Sequence, residues 1–300
     1  MTSLLLAATD FSAHARHAVL RAALLARETG APLVLLHVQP GDAIEQLRQW
    51  LGVGSEPERQ MMDTQRAQLE QLAVDIRQDH RLTVTSACRS GAVLDEVLRE
   101  ADERDAGLLV IGARGTGFLR RLMLGTTAER LMRRSPRPLL LVRQRPHEPY
   151  RRVLVAVDFS PWSVQAVAAA RRVAPHAALT LMTVFQVPFE EKLRFAGVDE
   201  ATVRHYRERS RSDARQRLHA LAERCGLTPG AWTACVVEGD ASLRIVEQEQ
   251  EFGCDLVVLG KHGQSAAEDL LLGSVTRHVL DEGSADVLVS TAHEAAAPPT

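Results

Sequence analysis

The chain has 300 residues, 45% of them hydrophobic, and a formal net charge of -2. That is apolar residue enough for sizeable cores and more chain than one domain usually takes, so a folded chain of two domains is expected. A charge so close to neutral supplies no overall positive field, and composition therefore gives no ground for nucleic acid or an anionic membrane surface as a partner.

The first apolar run, Leu4 to Ala8, reads as a strand stopped by Asp10. It lacks a basic leader, nothing at the N-terminus reads as an export signal, and no stretch approaches the roughly 20 apolar residues of a membrane span. The cysteines Cys88, Cys225, Cys235 and Cys254 are scattered with no Cys-x-x-Cys pair, so reduced thiols in a soluble, cytoplasmic protein are expected. His14 and His17 are three apart on a helix, a spacing compatible with a metal, but no third ligand stands nearby and a solvated helix face is the simpler account. Further strands are predicted at Leu33 to Val38, Leu82 to Ala87, Leu108 to Gly112 and Leu139 to Val142; most are continuously apolar, as strands covered on both faces are. Between them Leu69, Leu72, Ala73 and Ile76, and then Leu94, Val97, Leu98 and Ala101, follow the i, i+3, i+4, i+7 rule of an amphipathic helix.

The polar stretch Arg143 to Tyr150 carries two prolines and predicts a linker, bounded at 144–151, between domains at 1–143 and 152–291. Past it the pattern repeats. Leu-Leu-Ala-Ala-Thr-Asp10-Phe11-Ser12 returns as Leu-Val-Ala-Val-Asp158-Phe159-Ser160, and Leu-Val-Ile-Gly112 returns as Val-Val-Leu-Gly260, both at an offset of 148. The second half has predicted strands at Val153 to Val157, Leu179 to Val184, Trp232 to Val237, Leu256 to Gly260 and Val287 to Val289, with a long charged helix from about Glu200 to Arg224. That helix mixes arginines with Glu208 and Asp213, so it reads as an exposed face more than as a nucleic-acid patch, with RNA the lesser alternative. The tail, 292–300, is expected to be disordered. Each half thus alternates five strands with helices, the pattern of a parallel sheet with crossover helices.

The chemistry is concentrated where the fourth strand of each half ends. There stand Gly112-Ala-Arg-Gly115, nine residues and Gly125-Thr126, and again Gly260-Lys-His-Gly263, nine residues and Gly273-Ser274. Glycine allows a sharp turn and a close backbone approach to a ligand. A helix opening at Gly125-Thr126 or Gly273-Ser274 offers unpaired amides and the positive end of its dipole to a phosphate. Asp10 and Asp158 end the first strands, where a carboxylate can accept from a ribose hydroxyl or help to hold a metal carried on the phosphates. The plainer account is that the glycines only make turns and the aspartates cap the first helix. A P-loop is excluded, because neither lysine, Lys192 or Lys261, stands in Gly-x-x-x-x-Gly-Lys-Ser/Thr.

These motifs make each half of the chain resemble the universal stress protein family. Its ATP-binding members carry Gly-x-x-Gly, nine residues, then Gly-Ser/Thr, together with a first-strand aspartate. The resemblance implies two tandem doubly wound α/β domains of the adenine-nucleotide alpha-hydrolase-like fold, each a five-stranded parallel sheet with helices on both faces. It also implies a residue after the second strand whose backbone recognises adenine, matched by Val38 and, by aligning Leu36-His37-Val38 with Met182-Thr183-Val184, by Val184. The implied ligand is ATP with Mg2+, held by Asp10, Val38, Gly112, Gly115, Gly125 and Thr126, and in the second half by Asp158, Val184, Gly260, Gly263, Gly273 and Ser274. Last strands of the family mediate dimer contacts, so 139–142 and 287–289 are expected to form an intramolecular pseudo-dimer, with a homodimer open beyond it. The spacer holds Arg120-Arg121 in the first half and Glu268-Asp269 in the second, from which tighter binding by the first half is expected. No catalytic residue is assigned; a slow ATP hydrolase or phosphotransferase, and a nucleotide-free dimerisation scaffold, stand as alternatives to a regulatory nucleotide binder.

Overall fold

The computed structural model describes residues 3–41, 55–113, 125–187, 195–196, 198–261 and 272–291. Two compact units divide between Pro149 and Tyr150.

In the first unit the strands are β1 (Leu4–Ala8), β2 (Leu33–Pro40), β3 (Val84–Gly91), β4 (Ala106–Gly112) and β5 (Leu139–Val142). All pair in parallel, in the order β3-β2-β1-β4-β5. The helices are α1 (Ala13–Thr29), α2 (Ser55–His80), α3 (Val93–Glu103) and α4 (Thr126–Arg134). α1 packs on β1 and β4 and against α2, which covers β2 and β3, while α3 and α4 pack together on the other face. Strands covered in this way must be apolar on both sides, which is why Leu6, Leu35, Leu36, Val110 and Leu140 are all fully buried.

The second unit repeats the plan with β6 (Arg152–Ala156), β7 (Ala178–Phe185), β8 (Trp232–Glu238), β9 (Leu256–Gly260) and β10 (Asp286–Ser290), in the parallel order β8-β7-β6-β9-β10. Its helices are α5 (Pro161–Val173), α6 (Glu200–Arg224), α7 (Ala241–Glu251) and α8 (Ser274–Glu282). The charged helix starts where Asp199 caps it, its carboxylate accepting from the Thr202 amide at 2.9 Å. In each unit the chain winds outward on one side of the first strand and then on the other, so the direction reverses between β1 and β4 and between β6 and β9. Among the described residues no helix is long and apolar enough to cross a membrane.

Three segments depart from the sequence pattern. β3 starts two residues later than the apolar run and continues through Cys88-Arg89-Ser90 to Gly91, because β2 also runs on and pairs His37 with Cys88 and Pro40 with Gly91. β3 ends the order within its unit, and a strand in that place tolerates polar residues. α3 buries Val97 and Ala101 of the predicted stripe together with Glu96 and Glu100, and leaves Leu94 and Leu98 half-buried. Glu100 can be buried because Arg89 of β3 donates to it at 2.6 Å and Arg104 donates to its other oxygen. Tyr150, the last residue of the polar stretch, is a core residue of the second unit. Its hydroxyl donates to Asp286 at 2.7 Å, so β10 begins on a buried aspartate.

Burial alone pushes the Glu100 carboxyl up, but the hydrogen bonds and charges of Arg104 and Arg89 outweigh it and hold the group below its ordinary 4.5. A carboxylate whose folded value is depressed contributes stability above its unfolded value and loses it as pH falls through the folded one. Glu100→Gln is therefore expected to cost about 2 kcal/mol at neutral pH. Urea unfolding should show the gap between wild type and variant narrowing once pH drops below about 4.5.

Candidate functional site

β1 passes into α1 through Thr9-Asp10-Phe11-Ser12, and this elbow is built from local hydrogen bonds. The Asp10 carboxylate accepts from the Ser12 amide at 3.0 Å, the Thr9 hydroxyl accepts from the Phe11 amide at 3.1 Å, and Ser12 caps α1 by accepting from Ala15 at 3.2 Å. Phe11 stands at φ 62°, in the left-handed region that a bulky side chain enters at a cost of about 1–2 kcal/mol. Its ring lies 4.5 Å from that of His37, whose Nδ1 is hydrogen bonded to the Thr9 carbonyl at 2.8 Å. The second unit carries the same strain in Phe159 at φ 64°. There Asp158 accepts from the Ser160 amide and from the Ser163 hydroxyl, both at 3.0 Å, and the Arg217 guanidinium lies 4.2 Å from the Phe159 ring centre.

At the end of β4 the chain leaves the sheet at Gly112 and returns at Gly125, whose amide donates to the Ala113 carbonyl at 3.0 Å. The intervening 114–124, with Gly115 and the Arg120-Arg121 pair, lies outside the described residues, as do Gly263 and the Glu268-Asp269 pair. Gly125 precedes α4 and Gly273 precedes α8 as the cap residues, and being glycines they put no side chain of their own on the first-turn amides. A β-carbon on Gly112 would stand 2.9 Å from the carbonyl carbon and oxygen of His14, so this glycine is required by the closeness of α1. This packing requirement stands beside the access to a ligand expected of the same glycine. Gly273 is different, since a β-carbon there meets nothing closer than Thr276 Oγ1 at 3.8 Å.

Asp10, Val38, Gly112, Gly125 and Thr126 all line one cleft of about 550 Å³ at the carboxyl ends of β1, β2 and β4. Asp158, Val184, Gly260, Gly273 and Ser274 line the corresponding cleft of the second unit, of about 210 Å³. The first lies within the roughly 300–1,000 Å³ typical of small-molecule sites and the second below it. Residues that motif spacing did not single out complete both walls: Gln39 and Gln65 in the first, Trp162 and Ser163 in the second. The nearest signal for Gln39 was its place directly after Val38; the wall position of Gln65, on α2, follows from helix packing and has no local motif.

Two other chemistries have little support. Burial raises the thiols of Cys88, Cys225 and Cys235, and burial with Asp255 and Glu249 pushes Cys254 up to about 11, so all four favour the neutral, weakly nucleophilic form. His14 and His17 meet edge to face at 6.2 Å, and among the described residues no three His, Cys, Asp or Glu side chains are grouped as a metal would need.

The model of the universal stress protein family matches residues 1–143 and again 149–291. The chain belongs to the universal stress protein family. A universal stress protein of Mycobacterium tuberculosis is 28% identical over 268 residues, spanning 86% of this chain and 87% of that one. Another from Mycolicibacterium smegmatis is 26% identical over 291 residues, 95% of this chain and 96% of its own. Among solved structures, a universal stress protein from Archaeoglobus fulgidus covers 97% of this chain at 18% identity with a TM-score of 0.68, which supports the fold. The family's duplicated plan therefore accounts for both clefts, while the side chains on their walls are particular to each half.

Gly112 at the end of a strand and Gly273 at the start of a helix should respond differently to a methyl group. Gly112→Ala forces α1 to shift and is expected to cost about 1–3 kcal/mol. Gly273→Ala meets only ordinary contacts and replaces a tolerated cap residue, so it should cost less than about 1 kcal/mol. Thermal unfolding of the two variants side by side checks both values.

Proposed function

We propose that this universal stress protein is a regulatory binder of adenine nucleotide, with ATP as the ligand of the first cleft and Mg2+ carried on its phosphates. One observation supports this above the others: five residues, four taken from the motif and the first-strand aspartate and Val38 from the family resemblance, border a single cleft at the point where the sheet's winding reverses. Open parallel sheets bind their ligands at such points. In this reading the Asp10 carboxylate accepts from ribose hydroxyls, the backbone at Val38 faces the base, and the uncapped amides at Gly125-Thr126 receive phosphate. The second half carries matching positions round a smaller cleft, where Asp158 already accepts a hydroxyl from Ser163. The first half is accordingly assigned the stronger site. Binding alone is proposed, because the described wall supplies no nucleophile paired with a base.

Asp10→Asn keeps an oxygen for the Ser12 amide, so the elbow is retained while the charge is lost. Calorimetric titration with ATP and Mg2+ is expected to show affinity lowered by about tenfold or more, the worth of a hydrogen bond to a charged group. Wild-type protein that takes up no ATP would support the scaffold reading instead. Steady phosphate release abolished by Asp10→Asn with binding intact would support the hydrolase.

A further inference from the structure

Two glutamines that line the first cleft each have a buried side-chain oxygen with no hydrogen-bond partner. Gln39, the penultimate residue of β2, is 4% exposed, and its Oε1 is buried without a donor; Gln65 of α2 lines the same cleft, and its Oε1 is buried and unpartnered as well. Folded proteins leave few buried acceptors in this state, because each has lost its water without gaining a replacement. Two on one cleft wall call for a donor that arrives with a ligand.

The second half shows what the same register looks like when it is filled. Aligning Val38 with Val184 sets Phe185 at the place of Gln39, and the Arg211 guanidinium lies over the Phe185 ring at 5.9 Å. Beside it Arg207 pairs with Glu238 at 3.1 Å. A ring under a cation replaces the carboxamide, and neither Phe185 nor α6 reaches the wall of the smaller cleft.

We propose that Gln39, with Gln65 on the same wall, reads the six-position of the nucleobase in the first cleft and selects adenine, a specificity that the second half lacks. The inference rests on the nucleotide reading of that cleft. Adenine places an amine with two N–H donors at the six-position, and two acceptor oxygens can take them. A base with a carbonyl at the same place sets oxygen against oxygen unless both carboxamides turn over to present their amines. A carboxamide's adjacent acceptor and donor also match the amine and ring nitrogen along adenine's edge, a pairing well suited to glutamine.

Inosine triphosphate exchanges this amine for a carbonyl and leaves ribose and phosphates unchanged, so it isolates the contact. In calorimetric titrations of the full chain with Mg2+, the tighter site of the wild type is expected to prefer ATP over inosine triphosphate by about ten- to a hundredfold. Gln39→Leu should erase that preference by losing ATP affinity, and Gln39→Glu, which keeps acceptor oxygens, should retain it. Because the carboxamide oxygen has no partner in the fold, Gln39→Leu should unfold at the same temperature as wild type or higher. The proposal is overturned if Gln39→Leu keeps the preference, if wild type has none or favours inosine triphosphate, or if Gln39→Leu melts several degrees lower. Wild type that binds neither nucleotide overturns the nucleotide reading itself, a failure separate from these.

Discussion

The backbone of α1 at His14 stands where a β-carbon on Gly112 would be, and the geometry of the first cleft follows from that contact. β1 and β4 are neighbours, and the chain leaves them in opposite windings, so their carboxyl ends frame an opening. For α1 to lie back against β4 the chain must reverse within four residues. Phe11 accomplishes the reversal by adopting a positive φ, and the Thr9, Asp10 and Ser12 side chains hold it there. Glycine at 112 and strain at 11 are two sides of one requirement, that the helix begin close to the sheet and leave the space above it clear. Neither makes the cleft alone.

The duplication separates what the frame needs from what the halves have altered. Both units keep the aspartate, the positive-φ phenylalanine, the serine after it and uncapped helix starts at Gly125 and Gly273. Side chains one step further out differ. Ser163 gives its hydroxyl to Asp158, whereas Ala15 at the matching place has none to give, and Trp162 borders the second cleft where the first unit has His14. A shared backbone with divergent walls is expected when two copies are kept for folding alike and used differently. It also explains how clefts of about 550 and 210 Å³ arise on one plan.

Much of this was legible in the sequence because it depends on local pattern. Continuous apolar runs marked the strands, and the 148-residue offset showed that one solution had been used twice. The glycine spacing marked Gly112, Gly125 and Thr126, the end of the first strand marked Asp10, and the family resemblance added Val38; all five line one cleft. What escaped the sequence depends on contacts between segments far apart in the chain. Leu94 and Leu98 looked as buried as Val97 and Ala101, but they are half-covered, and the charged Glu100 is buried where Arg89 on β3 donates to it. The polar end of β3 was invisible as a strand because its reason, the extra length of β2, lies some fifty residues earlier. Gly112 both lines the cleft and lies against the first helix, and a glycine needed by a helix and one needed by a ligand look the same in sequence.

Gln39 illustrates the same limit from the other direction. In the sequence it is one polar residue after a strand, a position where glutamine usually faces water. Pairing of β2 with β3 as far as Pro40 buries it, and only then does its oxygen become a cost to the fold. Evolution has an easy remedy, an apolar side chain, and the second half uses one in Phe185. Retaining an unpaired carboxamide on the wall of the larger cleft is therefore a choice against stability, and such choices concentrate where a protein meets its ligand.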